Sequence, residues 1–376
     1  METCLEVPQG SYQLQRLPLR KLELLQAWDA ADCYLLEHLA GAAPPLNTSI
    51  VILNDSFGAL GVALHDYSPL ASSDSYLSQQ SSRHNLVLNG LAAEQLTLLS
   101  SLETPAGEID YLLIKVPKTL ALLEYQLLCL RPLLRPDSKV IVAGMVKNLP
   151  ASVWKLLERL IGPTTTSLAV KKARLIFAQL DPAIPLPDNP YPSSYILENS
   201  AYRIYNHANV FSRDSLDIGS RFLLQHLPNN PDYHDFIDLG CGNGVIGLML
   251  AAKQPQARLT FVDESYMALA SARQNFTAAL AERTADFVLD DCLSSFAPAA
   301  ADCIICNPPF HQQHTIGDHI AWQMFKQAYR VLRPGGELRV IGNRHLNYPA
   351  SLKKLYGNCQ VLAGNDKFVI MRALKR

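Results

Sequence analysis

Phe236-Ile237-Asp238-Leu239-Gly240-Cys241-Gly242-Asn243-Gly244-Val245 runs from an apolar stretch with one acid into three glycines set at every second position. Phe236–Leu239 reads as a strand, the glycines as a tight turn, and Val245–Lys253 as a helix. The glycines let the chain turn sharply and let a ligand approach the backbone, while the helix start offers free N–H groups to an anion. Outward from this stretch the same alternation continues. Strand Arg258–Val262 ends in Asp263-Glu264, a helix runs from Ser265 past Asn275, and strand Asp286–Leu289 ends in Asp290-Asp291. Strand Asp302–Cys306, a helix over 317–332, strand Leu338–Ile341 and a strand pair over 359–372 follow. Strands and helices in alternation predict an α/β fold with a doubly wound, mostly parallel sheet.

Upstream the pattern occurs a second time. A helical spacing runs through Leu22, Leu25, Trp28, Leu35 and Leu39, then strand Ile50–Leu53, a helix from Ala59, a helix from Asp74-Ser75, and strand Tyr111–Ile114. A helix to Leu134, strand Val140–Ala143 and closing strands within 162–180 complete it. The two series align residue on residue. Asp55-Ser56-Phe57-Gly58-Ala59-Leu60-Gly61 falls on Cys241-Gly242-Asn243-Gly244-Val245-Ile246-Gly247, and Ser75, Ser81, Arg83 and Asn85 fall on Ser265, Ser271, Arg273 and Asn275. Lys115-Val116-Pro117-Lys118 falls on Asn307-Pro308-Pro309-Phe310, and Leu134-Arg135-Pro136 on Leu332-Arg333-Pro334. Collinear matches at the turns predict a duplicated domain. Five prolines between Asp181 and Pro192 mark the linker. The expected organisation is domain 1–180, linker 181–200 and domain 201–376.

Composition excludes several classes. Of 376 residues, 48% are hydrophobic and 18% charged, which is globular rather than disordered. No apolar run reaches the roughly 18 residues of a membrane span, and the acids Glu2 and Glu6 argue against a secretory leader. Net charge is −1, so any nucleic-acid contact must come from local patches such as Lys115/Lys118, Lys171/Lys172/Arg174 or Lys353/Lys354. Eight scattered cysteines read as reduced core residues of a cytoplasmic protein. Cys303 and Cys306 lack the second pair that a zinc site needs, and His311, His314 and His319 match no metal spacing, so no metal is expected.

The chemistry gathers where strands end. Asp263, about 20 residues after the glycine loop, is placed to accept ribose hydroxyls. Asp291 is placed to read an adenine edge. A glycine loop is shared by nicotinamide, flavin and S-adenosylmethionine binders, and Asn307-Pro308-Pro309-Phe310 separates them. Neither proline supplies an N–H, and the first biases Asn307 away from helical backbone, so a rigid turn holds an amide, a carbonyl and a ring. The Asn307 side-chain oxygen and the Pro308 carbonyl could grip the N–H groups of an exocyclic amine and turn its lone pair toward a methyl donor. Phe310 would stack on the base, worth about 1–3 kcal/mol, with Pro309 and His311 at the substrate. Phe211, upstream, could cover the cofactor, and Asp217 could cap a helix. In the first half these positions have lost the chemistry: Phe57 crowds the loop, and Lys115 and Lys118 replace Asn307 and Phe310. That half should be inactive, with both lysines suited to a phosphate backbone.

Asp238-x-Gly240-x-Gly242-x-Gly244, the acids Asp263 and Asp291, and Asn307-Pro308-Pro309-Phe310 together resemble the class I S-adenosylmethionine-dependent methyltransferases. The doubled chain, with Asn209-Val210-Phe211-Ser212 upstream, resembles the bacterial ribosomal RNA guanine-N2 methyltransferases. Asn206–Arg213, Asp238–Gly247 and Cys306–His314 are most similar to the members acting on large-subunit (23S) RNA. The resemblance spans nearly the whole chain. It implies two tandem Rossmann-like domains with seven-stranded sheets, the first degenerate and serving RNA recognition or folding. It implies S-adenosylmethionine as methyl donor, 23S rRNA as partner, and no DNA or membrane. Asp238, Gly240, Cys241, Gly242, Asp263, Asp291, Asn307 and Phe211 would meet the cofactor, and Asn307, Pro308 and Phe310 would carry catalysis. Alternatives are 16S rRNA as substrate, adenine-N6 or protein-glutamine methylation, and a non-catalytic ribosome-assembly factor.

Overall fold

The computed structural model describes residues 2–20, 23–309 and 316–376, with backbone alone at 316–318. The chain divides into two compact units, Met1–Tyr191 and Pro192–Arg376. In the first, strands β1 (Cys4–Val7) and β2 (Gly10–Gln13) form a hairpin, followed by helix α1 (Ala30–Ala42). Then come β3 (Ile50–Leu53), α2 (Ala59–Ala63), β4 (Leu70–Ser73), α3 (Tyr76–Leu88), β5 (Thr97–Ser100) and β6 (Ile109–Lys115). The unit ends with α4 (Leu120–Leu130), β7 (Leu134–Met145), α5 (Ala151–Leu160), β8 (Thr164–Thr166) and β9 (Ala173–Ala178). The second unit opens with the hairpin β10 (Ser193–Ile196) and β11 (Arg203–Asn206), then α6 (Ile218–Leu224), β12 (Asp235–Leu239), α7 (Val245–Lys253), β13 (Arg258–Asp263), α8 (Tyr266–Ala279) and β14 (Asp286–Leu289). It closes with β15 (Ala301–Cys306), α9 (Ile316–Val331), β16 (Leu332–Asn343), α10 (Tyr348–Tyr356), β17 (Gln360–Gly364) and β18 (Phe368–Leu374).

The element series of the two units coincide one for one among the described residues. So do the sheets, ordered β5-β4-β3-β6-β7-β9-β8 and β14-β13-β12-β15-β16-β18-β17. In each, the first five strands of that order are parallel, the sixth is antiparallel to both its neighbours, and the seventh therefore runs with the first five. The local signals are shared as well. Ser75 and Ser265 cap α3 and α8 through Ser78 N and Ala268 N, both at 3.1 Å. Asn85 and Asn275, on those helices, each hold the hairpin of their unit, at Gln15 just past β2 and at Tyr205 within β11.

The central strands are buried on both faces, because helices cover each side of a parallel sheet. Alternation along β12 sends Phe236 into one core layer and Ile237 and Leu239 into the other. Asp238 therefore points to the Phe236 side, where α7 packs. The same period separates Cys303 from Cys306, which face opposite layers and cannot share a ligand or a bridge.

Two expectations are revised, and one element carries little sequence signal. The helical spacing from Leu22 does not extend the first helix: Asp29 caps it at Ala30, Leu24 and Leu25 are exposed, and Leu22 lies outside the described residues. The hairpin β1–β2 reads poorly from sequence because its strands are four residues long. Part of the proline-rich 181–200 stretch is not a linker, since Ser193–Ile196 pairs with Arg203–Asn206.

Candidate active site

In the C-terminal unit four strand ends lie side by side. Leu239 pairs with Val262 and with Cys306, and Asp263 pairs with Leu289. Parallel strands sit about 4.8 Å apart, so Asp290/Asp291, Asp263, Gly240 and Asn307 span about 14 Å. That matches the length of a nucleoside carrying an amino-acid side arm. The glycine loop borders this row, and its glycines serve different ends. Gly244 (φ +75°) is a packing glycine, since a Cβ there would lie 2.7 Å from the Ala272 Cβ. Gly242 (φ +55°) is an access glycine: its conformation is left-handed, yet a Cβ would meet nothing within 4 Å. Asp263 holds the loop in this shape, its two oxygens accepting from Gly242 N at 2.9 Å and Ser265 N at 3.0 Å. An open backbone beside a fixed carboxylate fits the ribose and side arm of S-adenosylmethionine.

Asp238 sits beneath the loop, buried, accepting from Gly247 N at 2.8 Å. Burial pushes its carboxyl up to about 7, opposed by the Gly247 N–H and reinforced by Asp263. A carboxyl that keeps its proton to about pH 7 when folded, and to about pH 4 when unfolded, makes the folded state weaker as pH rises between those values. Asp238→Asn keeps an acceptor for Gly247 and removes the titration. Urea unfolding from pH 4 to 7 should therefore show the variant gaining on the parent by up to about 1.4 kcal/mol per pH unit. Superimposable pH profiles would contradict it.

Asn307 closes the row. Its Nδ2 donates to Ser220 Oγ at 3.1 Å, and its Oδ1 is buried without a hydrogen-bond partner. A buried orphan acceptor costs roughly 1–3 kcal/mol, and in this position it supplies an acceptor waiting for an N–H. Pro308 is buried and Pro309 exposed. Phe310 and His311 lie outside the described residues. Asp291 ends beside the row, but both its oxygens accept from Gln323 Nε2 at 3.0 Å, so its carboxylate is turned to α9. Phe211 is 69% exposed. Cys241 is buried, which pushes its thiol well up. Among the described residues no cluster of His, Cys, Asp or Glu could hold a metal ion.

The equivalent row in the N-terminal unit is filled from within. Asp55 accepts from the N–H groups of Gly58 and Ala59 at 3.0 Å and of Leu60 and Gly61 at 2.9 Å, so the helix start is satisfied by the chain's own carboxylate. Asn54 donates to Lys115 O at 3.1 Å and to Gln126 Oε1 at 3.0 Å. Phe57 lies under the Arg16 guanidinium, 4.4 Å from the ring centre. Lys115 bonds Asp29 and Asp32, both at 2.7 Å, with its side chain 13% exposed. This corrects the expectation that Lys115 meets an RNA phosphate, because its charge is already neutralised below the surface. Lys118 is exposed.

Sequence reasoning missed Ser220 and Gln323. Ser220 had a signal, since Asp217 caps α6 through Ser220 N at 2.8 Å, the spacing of an N-cap and its third residue. Gln323 had none, because its partner is reached only through the packing of α9.

Models of the RLMG N-terminal domain and of the methyltransferase small domain match residues 2–182 and 201–372. Relatives named ribosomal RNA large subunit methyltransferase G include one from Streptomyces avermitilis, 47% identical over 381 residues and 100% of both chains. Another, from Pseudomonas paraeruginosa, is 50% identical over 369 residues and 98% of both. Among solved structures, a T. thermophilus 16S rRNA N2 methyltransferase in complex with AdoMet and guanosine covers 100% of this chain and 98% of its own. At 22% identity and a TM-score of 0.76 that likeness is one of fold.

Proposed function

The chain belongs to the ribosomal RNA large subunit methyltransferase G family, and on that premise we propose that its C-terminal unit methylates the N2 amine of a guanine in 23S rRNA at Asn307. It is an S-adenosylmethionine-dependent rRNA methyltransferase. The observation that carries the assignment of the site is the Asn307 Oδ1, a buried acceptor without a partner at the end of β15.

A guanine N2 amine has its lone pair delocalised into the ring. Asn307 Oδ1 accepts one of its N–H groups, and the carbonyl of Pro308 accepts the other. Holding both turns the lone pair out of conjugation and along the line of attack. S-adenosylmethionine, when bound, supplies a methyl on a sulfonium that needs no further activation. Alignment and preorganised acceptors therefore carry most of the rate. The added proton leaves the amine after transfer, so no strong base is required. Gly242 gives the donor room, Asp263 takes its ribose hydroxyls, and Asp238 holds the first turn of α7 through Gly247 N. We assign Pro309, Phe310 and His311 to substrate binding and Phe211 to the donor. The N-terminal unit serves RNA recognition, with Lys118 at the phosphates, and a ribosomal RNA substrate puts the work in the cytoplasm. No helix among the described residues is long and apolar enough to cross a membrane.

Tritiated methyl from S-adenosylmethionine, offered with 23S rRNA, 16S rRNA, DNA and release factor, tests this reading. Label should appear in 23S rRNA and, after digestion, in N2-methylguanosine. Label confined to protein, to adenine or to 16S rRNA would overturn it.

A further inference from the structure

Each unit places the same device ahead of its first central strand. In the N-terminal unit Asp29 caps α1, and Asp32 lies three residues on; both carboxylates hold Lys115 Nζ at 2.7 Å. In the C-terminal unit Asp217 caps α6, and Ser220 lies three residues on; its Oγ holds Asn307 Nδ2 at 3.1 Å. The first helical turn is thus an acceptor pocket in both, and the residue at the end of β6 or just past β15 sends a donor into it. Lys115 is donor only and is consumed there. Asn307 is a donor at one end and an acceptor at the other, so seating its NH2 leaves Oδ1 without a partner.

We propose that Ser220, placed by the Asp217 cap, is the positioning residue that sets the polarity of the Asn307 amide for methyl transfer. This rests on the reading that Oδ1 accepts the substrate amine. The two ends of an amide are nearly equal in shape, so shape alone does not choose between them. Turned over, the side chain would set N–H against the N–H of the amine and offer no acceptor. A hydroxyl can take either end of an amide; here Ser220 Oγ accepts from Nδ2, which leaves Oδ1 as the acceptor.

Single-turnover transfer to 23S rRNA tests it with Ser220→Ala and Ser220→Asp, the second carrying the acceptor that Asp32 supplies in the sibling turn. Ser220→Ala should slow the chemical step about tenfold, while S-adenosylmethionine affinity and KM for RNA stay within about twofold. Ser220→Asp should recover most of the rate, and Ser220→Ala added to Asn307→Ala should cost nothing further. A parent that methylates guanine beside an equally fast Ser220→Ala overturns this inference alone. So does a loss mirrored in cofactor affinity, or a Ser220→Asp as slow as Ser220→Ala. A parent that leaves guanine unmethylated overturns the functional reading and this inference with it.

Discussion

Asn307→Ala should lower the turnover number for methyl transfer by about 10²–10³-fold, the range seen when one preorganised polar group is removed from a reacting centre. Its affinity for S-adenosylmethionine should change by no more than a few-fold. The two effects separate because the loop glycines and Asp263 stand on other strands, and the bonds that shape the loop run through Asp263 rather than Asn307. Stability should hold or rise slightly. The parent carries a buried oxygen without a partner, and removing it removes that penalty along with the bond to Ser220. An unfolding midpoint at or above the parent's, beside a collapsed turnover number, is the expected pair of readings. Turnover within about threefold of the parent would remove Asn307 from the mechanism, since a lost charge-orienting acceptor cannot cost so little.

Much of this is legible in the amino-acid sequence, and for a physical reason. Buried parallel strands must be apolar, turns into helices need glycine, and Asn-Pro-Pro ends both strand and helix; each leaves a local mark. Asp238, Gly242, Asp263 and Asn307 are therefore placed at strand ends by their neighbours alone. The pairing β12–β15, which sets Gly240 beside Asn307, follows from the doubly wound order rather than from any local signal. What escapes are partners distant in sequence. The bond between Asn307 and Ser220 spans 87 positions, and that between Gln323 and Asp291 spans 32. Lys115 shows the opposite failure. Its charge suggests exposure, but Asp29 and Asp32, 86 positions upstream in the case of Asp29, draw it inward.

That inward lysine gives the largest stability effect expected in the N-terminal unit. Lys115→Met keeps the aliphatic stem and deletes the charge, leaving Asp29 and Asp32 facing each other. Breaking a buried pair typically costs about 3–5 kcal/mol. The lower end applies here, because the Asp29 side chain is 46% exposed and water screens it. Protonation limits the loss. Burial already lifts the Asp32 carboxyl to about 6 even with Lys115 opposing it, so without the ammonium it binds its proton still more tightly. A folded-state value raised above the unfolded one weakens the fold as pH climbs between the two. The variant should consequently lose about 3 kcal/mol at pH 8 in denaturant unfolding and progressively less toward pH 5. A loss under about 1 kcal/mol at pH 8 would mean the cluster is solvated and the position open. Seated as it is, the ammonium occupies the place that Asn307 leaves half empty. Each unit thus has its own acceptor pocket at the start of a helix: a full cation closes it in the first, and in the second an amide enters it with its NH2 alone.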